Sequence, residues 1–237
     1  MIKTMLEKRP VAVILLLFFF AVAVAVITVG IQEKAVEAAG NEPGRTLVLD
    51  PGHGGFDGGA VSDDGTRESD LNLSIAGKTR LIAELLGQKT VMTRENDSAR
   101  TDFASYSEHE DLVHRVKIIN QTPGAVLISI HQNDFPTGLP SGAQVLYSAY
   151  TGSDVLGKLT HANLIRALDP TNRRVAEPAP KNLFVTANAT CPAILVECGF
   201  MSNNFEVEQL CDPTYQTRIA LVLTASLMQF LSSAEQT

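Results

Sequence analysis

The sequence is poor in cysteine. Cys191, Cys198 and Cys211 are an odd number among 237 residues, with no CxxC pair and no zinc-finger spacing, so the chain is not built on disulfides or on a cysteine-held metal. It also lacks an excess of positive charge. From Ala39 onward there are 23 acidic against 15 basic residues, a formal charge of −8, and without a cationic face a nucleic-acid partner is excluded. No internal repeat or low-complexity segment occurs. HExxH and GxSxG are both absent. Gly77-Lys78-Thr79 resembles the end of a phosphate loop, but the first glycine of that motif would fall on Asn72. The dinucleotide fingerprint fails too, since counting from Gly52 its third glycine falls on Asp57.

Charge is missing altogether between Arg9 and Glu33, and from Val11 to Val29 only Thr28 is polar. A helix over that run spans roughly 28 Å, enough to cross the hydrocarbon core. Lys3, Lys8 and Arg9 precede it and keep the N-terminus in the cytoplasm, which sends the rest outward. Residues 1–31 are therefore expected to be a signal peptide or a signal anchor. Val36-Glu37-Ala38 offers a cleavage site, whereas the length of the run fits an uncleaved anchor better. Residues 32–44 read as a polar linker, 45–232 as one catalytic domain and 233–237 as a tail. The domain is thus placed outside the cytoplasm, anchored to the membrane if the leader stays and secreted if it is cut.

With 45% apolar residues, the chain has the composition of an ordinary globular domain. Thr46 to Leu49, Thr90 to Thr93, Ala125 to Ile130, Gly142 to Tyr150 and Ala193 to Val196 read as strands. Helices are expected from Glu68 to Gly87, with Leu71, Ile75, Leu81, Ile82, Leu85 and Leu86 as its apolar positions, and from the Ser107-x-x-Glu110 capping box to Asn120. Two more are expected over Asp154–Leu168 and Tyr215–Leu231. Apolar strands alternating with amphipathic helices predict an α/β fold, a twisted, mostly parallel sheet with helices on both faces.

In such sheets ligands gather at the carboxyl ends of the strands. Three strands end there in polar clusters: Asp50-Pro51-Gly52-His53-Gly54-Gly55, Ser129-Ile130-His131-Gln132-Asn133 and Glu197-Cys198-Gly199. Two histidines and a carboxylate along one edge suit zinc, whose catalytic sites keep three protein ligands and one exchangeable position. Glu68, opening the helix that returns over the sheet, is placed to be the third ligand. Asp57, Asp63, Asp64 and Asp70 compete for that place. Glu197 follows Ile194-Leu195-Val196, where a carboxylate is costly to bury unless it is paired or functional. His109, His114 and His161 read as solvated helix residues, and Arg94 with Asp97 as a structural ion pair. Cys198 as a nucleophile lacks a histidine nearby in sequence.

These blocks, together with Thr93-Arg94, Arg115 and Leu195 to Asn203, resemble the zinc-dependent N-acetylmuramoyl-L-alanine amidases of the amidase-3 family from about residue 46 to 231. Arg115-Val116-Lys117-Ile118-Ile119-Asn120 and the single short catalytic domain resemble the germination-specific subtype that acts on spore cortex. The resemblance implies one zinc ion on His53, Glu68 and His131, with Glu197 as catalytic acid and base. It also implies peptidoglycan as substrate, and Asn133, Arg94 and Arg115 as substrate-binding candidates. It departs from the commonest pattern at Gln132 and Cys198, neither of them a ligand. Some members need a partner protein to bind zinc or become active, so an activator belongs to the expectation, as does a place in the forespore intermembrane space. The competing readings are a zinc carboxypeptidase that trims stem peptides and a non-catalytic wall-binding module.

Overall fold

The structure, a computed structural model, describes residues 45–97 and 103–234; the expected leader and linker lie outside the described residues. Five apolar runs become strands β1 (Thr46–Pro51), β2 (Lys89–Met92), β3 (Ala125–Asn133), β4 (Gln144–Tyr147) and β6 (Ala193–Phe200), with a two-residue β5 at Glu177–Pro178. They form one sheet in the order β2-β1-β3-β6-β4-β5. β2, β1, β3 and β6 run parallel, β4 runs antiparallel to β6, and β5 is parallel to β4.

Alternate residues of each strand enter separate layers. Leu47, Leu49, Ile128, Ile130, Ile194 and Val196 face helices α1 (Glu68–Leu85), α3 (Ser153–Leu168) and α6 (Pro213–Ala234) in the larger core, where Ile75, Leu156 and Leu223 meet them from the helices. Val48, Leu127 and Ala193 point the other way, onto Ile119 of α2 (Glu108–Gln121) and Val185 of α4 (Phe184–Asn188). Each such leucine, isoleucine or valine contributes about 1.5–3 kcal/mol when fully buried. The sheet is therefore mostly parallel and covered on both faces. Among the described residues no helix is long and apolar enough to cross a membrane.

Local signals fix the helix ends. Ser107 accepts from the Glu110 N–H at 3.3 Å, as the capping box requires. Gly87 closes α1 with φ +81°. Helix α5 (Asn204–Cys211), which the sequence reading did not anticipate, starts where the Asn203 side chain accepts from the N–H groups of Phe205 and Glu206. Three expectations need correction. Leu81, Leu85 and Leu86 of the first helix are exposed, and its inner face, which keeps the expected Leu71 and Ile75, is completed by Ala76, Thr79 and Ala83. The late strand runs on through Glu197 to Phe200, because β3 and β4 pair with it on both sides. His161 is buried rather than solvated, with Nε2 2.8 Å from the Arg174 carbonyl.

Candidate metal centre

The alternation that buries Val48 and Leu127 under α2 and α4 continues beyond those helices. There the same face of the sheet carries Asp50, Ser129, His131 and Glu197 instead of apolar residues. Asp50 stands opposite Ser129 across β1 and β3, and His131 opposite Glu197 across β3 and β6.

Asp50 is 1% exposed and fully partnered. Its Oδ1 accepts from the Thr93 hydroxyl at 2.6 Å and from Arg115 Nη1 at 3.0 Å, and its Oδ2 from Ser129 at 2.7 Å. Burial alone would raise this carboxyl, but Arg115 and the two hydroxyls more than offset it and hold it below the ordinary carboxylate range. Arg115 also donates to the carbonyls of Pro51 (2.8 Å) and His53 (2.6 Å) and to Asp111 (2.7 Å). Arg94 donates to the carbonyls of Pro51, Gly52 and Ser69 at 2.8–3.0 Å. Two guanidinium groups thus clasp consecutive carbonyls of the loop that follows β1. Asp97 takes no ion pair from Arg94, contrary to expectation. It pairs with Arg67 at 3.0 Å and accepts from the Gly55 N–H, because Arg94 is already turned inward onto the loop.

This clasp holds His53 at φ +61°, a left-handed conformation that costs a non-glycine residue on the order of 1 kcal/mol. The His53 ring reaches Asp57 Oδ2 through Nδ1 at 2.7 Å and Glu68 Oε2 through Nε2 at 3.3 Å. His131 Nδ1 lies 3.1 Å from Glu68 Oε1. Glu68 is 3% exposed and also accepts from the N–H groups of Ala60 and Gln132 and from the Asn72 amide. Gly52 has to be glycine, since a Cβ there would lie 2.1 Å from His131 Cε1. Ligand atoms of His53, Glu68 and His131 all fall within 4.8 Å of one another, a group that could hold a metal ion. Two imidazoles and one carboxylate are the donor set of a catalytic zinc, and Asp57 on the far nitrogen of His53 is the usual support for such a ligand.

Without an ion, protons are held where the cluster's negative charge would otherwise hold a cation. Burial works against charge on His53, yet the hydrogen bonds to Asp57 and Glu68 prevail and push its pKa up to about 10. Burial would likewise raise Glu68, but the two histidines hold it far below the usual range. Glu197 differs from both. Burial, reinforced by the Glu68 carboxylate, pushes it up to about 7. Its Oε2 is sealed from solvent and has no hydrogen-bond partner among the described residues. Such an orphaned carboxylate oxygen beside a cluster of metal-type ligands is expensive unless something completes it.

Asn133 is half-buried on the same face, two residues beyond His131, and its Oδ1 accepts from the Asp134 N–H. Cys198 is buried in the opposite layer, and burial pushes its thiol well above the ordinary range. His109 is exposed, edge-on to Phe184. Sequence reasoning treated Asp57 as a rival ligand and did not foresee it as the partner of His53. Asn72 was missed as well, although it lies four residues after Glu68 on the same helical face.

A family model described as N-acetylmuramoyl-L-alanine amidase, Amidase_3, matches residues 47–229. The chain is 36% identical over 197 residues to the germination-specific N-acetylmuramoyl-L-alanine amidase of Bacillus subtilis, a match covering 80% of this chain and 81% of that protein. Its structure is similar to that of the CwlD amidase of Clostridioides difficile solved in complex with the GerS lipoprotein, with TM-score 0.75, 34% identity, and coverage of 80% of this chain and 99% of that one. The catalytic domain of CwlV, an amidase of Bacillus (Paenibacillus) polymyxa, gives TM-score 0.66 at 27% identity, covering 79% of this chain and 98% of that one.

Proposed function

Because this chain belongs to the N-acetylmuramoyl-L-alanine amidase family, we propose that His53, Glu68 and His131 hold one zinc ion and that Glu197 is the acid and base of the reaction. The reaction is hydrolysis of the amide between the lactyl group of N-acetylmuramic acid and the L-alanine of the stem peptide. The observation that carries the residue assignment is the convergence of three ligand atoms within 4.8 Å on the sheet face that also bears the unpartnered Glu197 Oε2.

Zinc bound there supplies a water whose pKa falls toward neutrality and a positive charge for the developing oxyanion. Glu197 takes a proton at its carboxylate as water adds to the lactyl carbonyl, then returns it to the alanine nitrogen as the C–N bond breaks. The products are the glycan carrying a free lactyl carboxylate and a stem peptide with a free amino terminus. Burial makes Glu197 easier to protonate than an ordinary carboxylate, which suits a group that must both take and return a proton. Arg94 and Arg115 act by holding the carbonyls of the His53 loop, and Asn133 is the candidate for contact with a substrate amide.

The cellular setting extends the proposal. Similarity to the germination-specific relative supports a role in germination; spore cortex as the wall acted on and the forespore intermembrane space as the location complete the proposal. The relative solved in complex with a lipoprotein supports a lipoprotein partner, to which the proposal gives the part of activator. An N-terminal segment, 1–31, that tethers or exports the domain suits both.

The test uses the Glu197→Gln protein. It should keep one zinc per chain and lose at least about 100-fold in turnover on purified peptidoglycan. Wild-type activity in that variant would remove Glu197 from the chemistry. Mass spectrometry of the wild-type digest should show intact stem peptides. Release of a single amino acid would point to a carboxypeptidase instead.

A further inference from the structure

The row of side chains that starts at His131 does not stop at Glu197. Gln144 of β4 stands directly opposite Glu197, so His131, Glu197 and Gln144 lie side by side on one face of three adjacent strands. The register shift after His131 sets Asn133 opposite Phe200 in the next row. Arg174, in the segment leading to β5, closes both rows. Its guanidinium lies over the Phe200 ring, 4.6 Å from the centroid, and donates through Nη1 to Gln144 Oε1 at 3.2 Å and through Nε to the Ser141 carbonyl at 3.0 Å.

The backbone of Arg174 is fixed as firmly as its side chain. Its N–H donates to Asn172 Oδ1 at 2.9 Å, and its carbonyl accepts from the buried His161. Its carboxylate neighbour Glu206 is held by the N–H groups of Gly142 and Phe200; among the described residues no carboxylate lies within ion-pair distance of this half-buried guanidinium, and its Nη2 makes no hydrogen bond. Arg67 and Arg115, in contrast, are each spent on aspartates.

We propose that Arg174, with Gln144, is a carboxylate-binding position on the sheet face beside Glu197 and takes the free α-carboxylate of the acidic residue that follows L-alanine in the stem peptide. The proposal rests on the amidase reading. Charge sets the direction of the substrate. On the other flank of the centre, Asp57, Glu108 and Asp111 line a small cavity of about 60 Å³ together with Tyr106, which packs edge-on against Phe56. Asp57 and Asp111 are already paired with His53 and Arg115, and together with Glu108 and the aromatic rings they make a lining better suited to sugar hydroxyls than to a further carboxylate. The glycan therefore belongs on the α2 side and the acidic peptide on the β4 side. The spans match, because an extended peptide advances about 3.3 Å per residue and neighbouring strands lie about 4.8 Å apart. The second residue of the stem thus reaches one to two strand spacings past the scissile nitrogen.

The test measures calorimetric binding of N-acetylmuramoyl-L-alanyl-D-glutamate and of the same compound with its α-carboxyl amidated, using the zinc-loaded full chain carrying Glu197→Gln. The free acid should bind at least about tenfold tighter. Adding Arg174→Ala should erase that preference at unchanged zinc content, and Arg174→Lys should restore part of it. Equal binding of the two compounds, or a preference that survives Arg174→Ala, overturns the inference even if wall hydrolysis proceeds. Preferential binding of the acid without any hydrolysis by the wild-type chain overturns the amidase reading and leaves the carboxylate site standing.

Discussion

At the scale of single residues, the centre is governed by how carboxylates share imidazoles. His53 sits between Asp57 and Glu68 and, without a metal, keeps its proton up to about pH 10. A metal ion has to displace that proton. Zinc affinity should therefore climb about tenfold per pH unit between roughly pH 7 and 9 and level off above 10, as measured by chelator competition. Asp57→Asn should cost about 10- to 100-fold in zinc affinity above about pH 10, where no proton competes with the metal, since the support on Nδ1 weakens. It should also flatten the pH dependence, because a neutral partner no longer retains the proton; an unchanged slope would show that Asp57 does not govern it. That Glu197 would be a buried carboxylate in need of a purpose was legible in the sequence, because an acid after three buried aliphatics has few innocent explanations. The role of Asp57 was not, since the glycine-rich loop offers several acids and only its folded path selects one.

At the scale of elements, the loop after β1 depends on helix α2. Arg115 projects from α2 to the buried Asp50 and to two loop carbonyls. Arg115→Met should destabilise the protein by about 3–5 kcal/mol in urea unfolding, because it strands Asp50 as an uncompensated buried charge. Ser107→Ala, at the start of the same helix, should cost only about 1 kcal/mol. If the two variants unfolded at the same urea concentration, the clasp would have no special weight. The apolar strands and the capping box were readable because buried runs and cap spacing follow directly from backbone hydrogen bonding. The inner face of α1 was misread, because leucines favour helices whether or not they point inward, and Thr79 and Ala83 took the places that Leu81 and Leu85 were expected to fill. Helix α5 starts from a single asparagine cap, too slight a signal to stand out.

At the scale of the whole molecule, the metal and pH act on stability together. Zinc at 1,000 times its dissociation constant should add about 4 kcal/mol, so stripping it should lower the melting temperature measurably, and restoring it should reverse the change. The buried Asp50 has a folded pKa below its unfolded value, so its contribution is complete above about pH 4 and fades as pH falls through the folded value. Acid unfolding should thus begin below about pH 4, and Asp50→Asn should flatten that limb in a pH series of thermal melts. The alternating α/β architecture could be read from the strand and helix runs alone. The reversal of β4 could not, since nothing in a four-residue strand records its direction.

Glu197 lies within a strand hydrogen-bonded on both sides, to β3 and to β4. Its backbone has no freedom to swing toward a bound glycan strand or away from it. In the role proposed for it, Glu197 would not gate turnover by opening and closing, so the pace of hydrolysis should follow how the wall presents its lactyl amides. Cross-linked, taut meshwork and loosened meshwork should then be digested at different speeds by one unchanging catalyst.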